Sequence, residues 1–146
     1  MNSPVSKNML NVSADYPDLR DRYYQPNLTP LKPFIDPPGN LVILDQGKDG
    51  ACTGFALAAT INFIYRQQGR KHTVSPWMLY AMAKRHDEWL GEAYEGSSCR
   101  GAIKGWYNSG VCNESLTEDI KHSNEFEMTL AIANNASNHR LGAYYR

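Results

Sequence analysis

Charge of one sign is missing from this chain. Its 146 residues carry 15 Lys and Arg against 15 Asp and Glu, so the formal net charge is zero. That balance removes the long-range field that draws a protein to nucleic acid or to anionic membranes. Long hydrophobic runs are missing too, and no stretch approaches the roughly 20 apolar residues of a membrane span. Neither nucleic acid nor membrane is an expected partner. Met1 to Ser13 lacks the basic start and apolar core of a secretory signal, so a cytoplasmic location or a non-classical export route is expected. Cysteine is scarce: Cys52, Cys99 and Cys112 leave one thiol over however they pair. The sequons at Asn11, Asn27, Asn113 and Asn135 read as chance occurrences of a short polar motif. No His/Cys/Asp/Glu cluster has zinc spacing, Gly47-Lys48-Asp49-Gly50 lacks the rest of a phosphate loop, and Asp87-Glu88 with Glu92 and Glu95 reads as a solvated helix end. No metal or cofactor is expected.

Proline, by contrast, is concentrated at one end. Pro4, Pro17, Pro26, Pro30, Pro33, Pro37 and Pro38 all precede residue 40, and each fixes φ and biases its predecessor towards extended backbone. The first quarter is therefore extended or irregular. Residues 1–15 read as a disordered tail, and residues 16–146 as one folded unit. Within it, Asp18 to Tyr24 is amphiphilic and is expected to lie on the body. Leu41-Val42-Ile43-Leu44 fits a strand or a packed loop equally, because four residues carry no period.

After the polar turn Asp45 to Ala51, with its two glycines, Cys52 opens an apolar stretch to Tyr65. Apolar groups around nearly its whole circumference predict a buried helix, ended by Gly69 and the late positive charges Arg66, Arg70 and Lys71. Ser75-Pro76 predicts an N-cap with proline at the first helical position of a second helix. Cys99, Ala102, Ile103, Trp106 and Tyr107 keep helical spacing, so a third helix runs from Ser97 or Ser98 to Ser109, with Gly110 as its C-cap. Gly101 and Gly105 each cost it about 1 kcal/mol relative to alanine. Its length puts Cys99 and Cys112 roughly 15 to 20 Å apart, beyond disulfide reach. Phe126 to Ala136 reads as a further helix and Leu141 to Tyr145 as the start of a strand.

A cysteine on the first turn of a buried helix has a physical reason to react, because the helix N-terminus stabilises a thiolate. Gln46 lies six residues upstream, across the turn. Its amide and the Cys52 N–H would together form an oxyanion hole for a carbonyl attacked by the sulfur, each donor lowering the barrier by about 3 kcal/mol. The plainer alternative makes Cys52 a small buried hydrophobe and Gln46 a turn residue.

The string Asp45-Gln46-Gly47-Lys48-Asp49-Gly50-Ala51-Cys52-Thr53-Gly54-Phe55-Ala56 resembles the nucleophile segment of papain-like cysteine peptidases. Asp18-Leu19-Arg20-Asp21 resembles the opening of the mature domain in bacterial members. Ser75 to Tyr80 is similar to the family's second helix, and Gly96-Ser97-Ser98 with Ala102-Ile103 and Gly110-Val111-Cys112 resembles the stretch that lines the cleft and leaves it. The resemblance implies an α+β protein in which this chain is the left, mainly helical lobe around the Cys52 helix, with a β-rich right lobe absent. It makes Cys52 the nucleophile and Gln46 the oxyanion-hole side chain, with Gly50, Gly96 and Ser97 at the substrate. Three positions depart from the pattern: Asp49 replaces a frequent cysteine, which implies that the usual left-lobe disulfide is absent, Thr53 replaces an aromatic, and Ser115 to Glu118 replaces a Trp-Pro-Tyr-like exit.

The family's histidine base follows the cysteine by roughly 130 to 150 residues and is oriented by a later Asn, which lies beyond Arg146. The expected partners are a peptide or protein substrate and a C-terminal lobe that supplies this His and Asn. His72, His86 and His122 read as solvated or helix-terminal, and His139 as part of a segment crossing towards the other lobe. The expectation is a thiol peptidase acting through an S-acyl intermediate on Cys52, inactive as this chain alone and prone to self-association through its lobe-facing side. Two rivals stand beside it: a catalytically dead binding module, and a cysteine-dependent transamidase or deamidase. The Arg66 to His72 charges read as complementing a helix dipole rather than binding nucleic acid.

Overall fold

A computed structural model describes residues 17–30, 32–37, 39, 41–87 and 94–144. Among the described residues there are four helices: α1 (Cys52–Gln67), α2 (Pro76–Arg85), α3 (Cys99–Ser109) and α4 (Leu130–Ser137). Two single 3₁₀ turns, Glu114–Leu116 and Ser123–Glu125, lie between α3 and α4. Among the described residues the only β-pairing is one antiparallel bridge, Val74 to Asn113. Leu41 to Leu44 is neither a strand nor a packed loop, since Leu41, Val42 and Ile43 are exposed and Leu44 alone packs on the core, and Leu141 to Tyr144 forms no strand; neither segment finds a strand partner among the described residues. The tail expected over residues 1–15 lies outside them.

Capping chemistry sets the helix starts. Ser75 Oγ accepts the Met78 N–H at 3.1 Å ahead of Pro76, and Ser98 Oγ accepts the Gly101 N–H at 2.9 Å. Thr129 Oγ1 does the same for the Ile132 N–H at 3.2 Å, so α4 begins at Leu130 rather than at Phe126. Gly110 ends α3 with φ +76°, backbone that other residues rarely adopt.

Helix α2 is sandwiched between α1 and α3. The glycines that weaken α3 by propensity make this sandwich possible: a Cβ on Gly105 would stand 2.8 Å from Met82, and one on Gly101 would stand 2.8 Å from the Ala83 carbonyl oxygen. Ala58, Ile61, Tyr65, Val74, Leu79 and Val111 form one core cluster; Met78, Met82, Cys112, Ile132 and Ala136 form another on the α4 side. Within α1, buried Asn62 is satisfied by accepting the Val74 N–H at 2.9 Å.

One expectation is corrected here and a second is made specific. Helix α1 is not buried on all sides: Cys52, Ala56, Ala59, Thr60 and Ile64 are exposed along one stripe, while Phe55, Ala58, Ile61 and Tyr65 face the core. An apolar circumference shows which faces tolerate burial, not which one this chain covers. The segment from Asp18 does lie on the body, but through charge. Arg100, 10% exposed, binds Asp21 bidentately at 2.7 and 3.1 Å and Asp18 at 3.6 Å, whereas Leu19 and Tyr23 are fully open to solvent.

Candidate active site

Cys52 is the first residue of α1, and its side chain is exposed. Ala51 is fully buried as the N-cap and offers no side-chain cap, so the first N–H groups of α1, that of Cys52 among them, lack intrahelical acceptors. The turn is held from beneath. Phe55 packs edge-on against Trp77 with ring centroids 4.9 Å apart, and Gly54 lets the first turn of α1 close onto Tyr80 and the Pro76 carbonyl.

Gln46 and Cys52 line one groove of about 730 Å³, which continues along the exposed side of α1 past Ala56, Ala59 and Phe63 and is rimmed by Leu41 to Leu44. The Gln46 Nε2 donates to the Asp49 carbonyl at 2.9 Å. That bond uses one of its two N–H groups and leaves the second for a ligand.

The sequence-predicted substrate residues meet at the same turn. A Cβ on Gly50 would lie 3.0 Å from the Gly96 nitrogen, so glycine is what allows the 95–96 backbone to approach. The Gly96 N–H donates to the Tyr80 hydroxyl at 3.1 Å, and the hydroxyls of Thr53 and Ser97 bond one another. Gly50, Gly96 and Ser97 therefore stand beside the residues that flank Cys52. Burial pushes the Tyr80 phenol up, with Glu95, Asp49 and Cys52 adding to the same direction against the Gly96 N–H, so the hydroxyl stays neutral.

The four histidines divide by position. The His72 ring packs on Tyr65 at 4.9 Å and the His139 ring on His72 at 5.2 Å. Tyr65 lies nearly four turns along α1 from Cys52, about 20 Å away, so His139 stands at the wrong end of the helix to serve the sulfur. Burial depresses the His72 pKa, and the charges of His139 and Arg70 add to this. His86 caps the end of α2. His122 is the histidine tied to the nucleophile turn: its Nδ1 is 3.2 Å from the Asp49 carboxylate, which also accepts the Ser123 N–H at 2.6 Å. Sequence reasoning missed this contact, which spans 73 residues and has no motif; the only sequence signal was an acidic residue inside the turn. Among the described residues no group of three His, Cys, Asp or Glu could hold a metal ion.

No family model and no curated protein matches this chain. Among solved structures it is similar to xylellain, a cysteine protease from Xylella fastidiosa, with a TM-score of 0.74 and 23% identity. The match covers 90% of this chain and 56% of xylellain, so the chain spans little more than half the length of that protein. The fold is thus a papain-like one, and its described residues are mainly helical.

Proposed function

We propose that this chain is the nucleophile-bearing helical lobe of a papain-like thiol peptidase of the bacterial branch, one that hydrolyses peptide bonds through an S-acyl intermediate on Cys52. The observation that carries the reading is the exposure of Cys52 at the start of α1, in one groove with the Gln46 amide. The thiolate attacks the peptide carbonyl, and the negative charge moving onto the oxygen meets the second Gln46 N–H and the Cys52 N–H, which were oriented before reaction. Gly50, Gly96 and Ser97 border the substrate on one side, where the absence of a side chain at Gly50 and Gly96 lets an extended peptide backbone approach.

Acyl transfer also needs a base to take the thiol proton and return it to the leaving amine. His72 and His139 are too remote along α1 for that. We assign the base and its orienting Asn to a β-rich lobe outside these 146 residues, seated over the exposed stripe of α1. The 56% coverage of xylellain supports such a lobe. The isolated chain then forms the adduct half of the reaction without turnover.

The test uses a peptide aldehyde with a ¹³C-labelled carbonyl, which adds a thiol to give a tetrahedral hemithioacetal. The reading predicts that carbon's signal near the hemithioacetal position with the wild-type chain, its loss in Cys52→Ala, and about 100-fold weaker binding in Gln46→Ala, as for loss of one oxyanion-hole donor. An aldehyde that adds equally well to Gln46→Ala removes Gln46 from the mechanism.

A further inference from the structure

Asp49 is engaged through both its main chain and its side chain. Its carbonyl accepts the Gln46 Nε2–H at 2.9 Å, and its own N–H reaches back to the Gln46 carbonyl at 3.4 Å. Its carboxylate, on a side chain 15% exposed, takes the Ser123 N–H on Oδ2 at 2.6 Å and faces His122 Nδ1 from Oδ1 at 3.2 Å. The far side of this junction is itself braced. Glu125 accepts the N–H groups of Lys121 at 2.7 Å and His122 at 3.2 Å, closing a capping box over the 3₁₀ turn Ser123–Glu125.

Residues 45–50 need such bracing. The turn contains Gly47 at φ +64°, and besides the Gln46 side-chain bond to the Asp49 carbonyl it holds itself through the long Asp49 to Gln46 main-chain bond and a 2.9 Å bond from the Gly47 N–H to Asp45. Fixing each residue of a free turn costs about 1 to 2 kcal/mol of backbone entropy, whereas a carboxylate on a backbone N–H is among the stronger anchors available.

We propose that Asp49 is a positioning residue for Gln46: by clasping the nucleophile turn to His122 and Ser123, it holds the peptide whose carbonyl orients the Gln46 amide, so that the second N–H of that amide faces the Cys52 groove. This rests on Gln46 acting as the oxyanion donor, and it deepens that reading by naming what aims the donor. Asp49 touches no reacting atom; it acts through Gln46. The clasp joins segments 73 residues apart without a covalent bond, so thiol reductants leave it intact.

The experiment is ¹⁵N–¹H spectroscopy of the chain, with the Gln46 side-chain amide assigned by its loss in Gln46→Ala. In the wild type the two Gln46 amide protons are well separated and one exchanges at least tenfold more slowly than the other. In Asp49→Ala they collapse towards the values of a free glutamine while the far-UV circular dichroism is unchanged. Asp49→Asn retains an acceptor for the Ser123 N–H and keeps most of the separation; it decides the matter should Asp49→Ala not fold. A companion measurement separates positioning from general structure: Asp49→Ala weakens peptide-aldehyde binding about tenfold and leaves the iodoacetamide rate of Cys52 unchanged. Gln46 signals that stay put in Asp49→Ala, with or without movement of the Ser123 N–H, overturn the proposal. If the Gln46 signals collapse as expected while the wild type binds no aldehyde, the clasp stands and the peptidase reading falls.

Discussion

Gly54 lies so close to Tyr80 that a Cβ built on it would stand 2.6 Å from the tyrosine Cβ. The contact joins the first turn of α1 to α2, and it sets where Cys52 sits relative to the 94–98 loop that Tyr80 holds through the Gly96 N–H. Gly54→Ala gains about 1 kcal/mol of helix propensity but forces the two helices apart, an overpacking cost of about 1 to 3 kcal/mol. The expected result is a lower urea midpoint together with altered Cys52 reactivity. A variant as stable as wild type, with unchanged reactivity, contradicts this packing account.

Ser75 carries two loads at once. Its buried hydroxyl caps α2 through the Met78 N–H and accepts the Thr117 hydroxyl at 2.7 Å. Ser75→Ala therefore loses the α2 cap and the Thr117 bond, leaving the Thr117 hydroxyl to the Glu114 carbonyl at 3.1 Å, at a cost of about 1 to 2 kcal/mol. Thr117→Val combined with Ser75→Ala is expected to cost less than the sum of the two single changes, which denaturant unfolding of the four proteins measures.

The N-terminal segment is moored to α3 by Arg100 rather than by its own apolar side chains. Arg100→Ala is expected to expose the 18–24 stretch to proteases several-fold more than wild type while leaving the helical signal intact. Leu19→Ala, which removes a side chain wholly in solvent, is expected to change neither.

Acid should act in two steps. His72 and His86 have depressed pKa values, caused first by burial, so their charged forms are disfavoured in the folded state. The unfolded chain takes up those protons first, and stability falls as pH drops below about 6.5. Asp49 and Glu125 are held below the usual carboxylate range, first by the backbone N–H of Ser123 and of Lys121 respectively. Their contribution is present above the unfolded value of about 4 and is lost as pH falls further, through the folded value. The urea midpoint against pH is expected to fall in both windows. His72→Gln flattens the upper one and Asp49→Asn the lower.

Local chemistry was legible in the sequence wherever a single residue decides it. Ser75-Pro76 and Ser98 start their helices as expected, because an N-cap acts within three residues. The turn that brings Gln46 and Cys52 to one groove was readable from their six-residue separation across a glycine-containing turn, whereas the approach of Gly50 to Gly96 joins distant segments and was not. What was hidden depends on distant partners. Thr129 outcompeted the apolar pattern that began at Phe126. The exposed stripe of α1 depends on what covers it, which composition does not encode. The Asp49 contact with His122 joins two polar stretches that each read as ordinary loops.

The most direct measurement exploits an internal control. Cys52 and Cys99 both open helices, α1 and α3, and both are exposed. The general effect of a helix N-terminus on a thiol therefore acts on both, and only Cys52 has the Gln46 groove. Treating the chain with a peptidyl vinyl sulfone and with iodoacetamide, followed by peptide mapping, gives the ratio of Cys52 to Cys99 labelling for each reagent. The account predicts a ratio at least tenfold higher for the peptidyl reagent than for iodoacetamide, with that excess lost in Gln46→Ala. Equal ratios for the two reagents would mean that Cys52 is only an exposed thiol, and would contradict the assignment of a peptidase nucleophile to it.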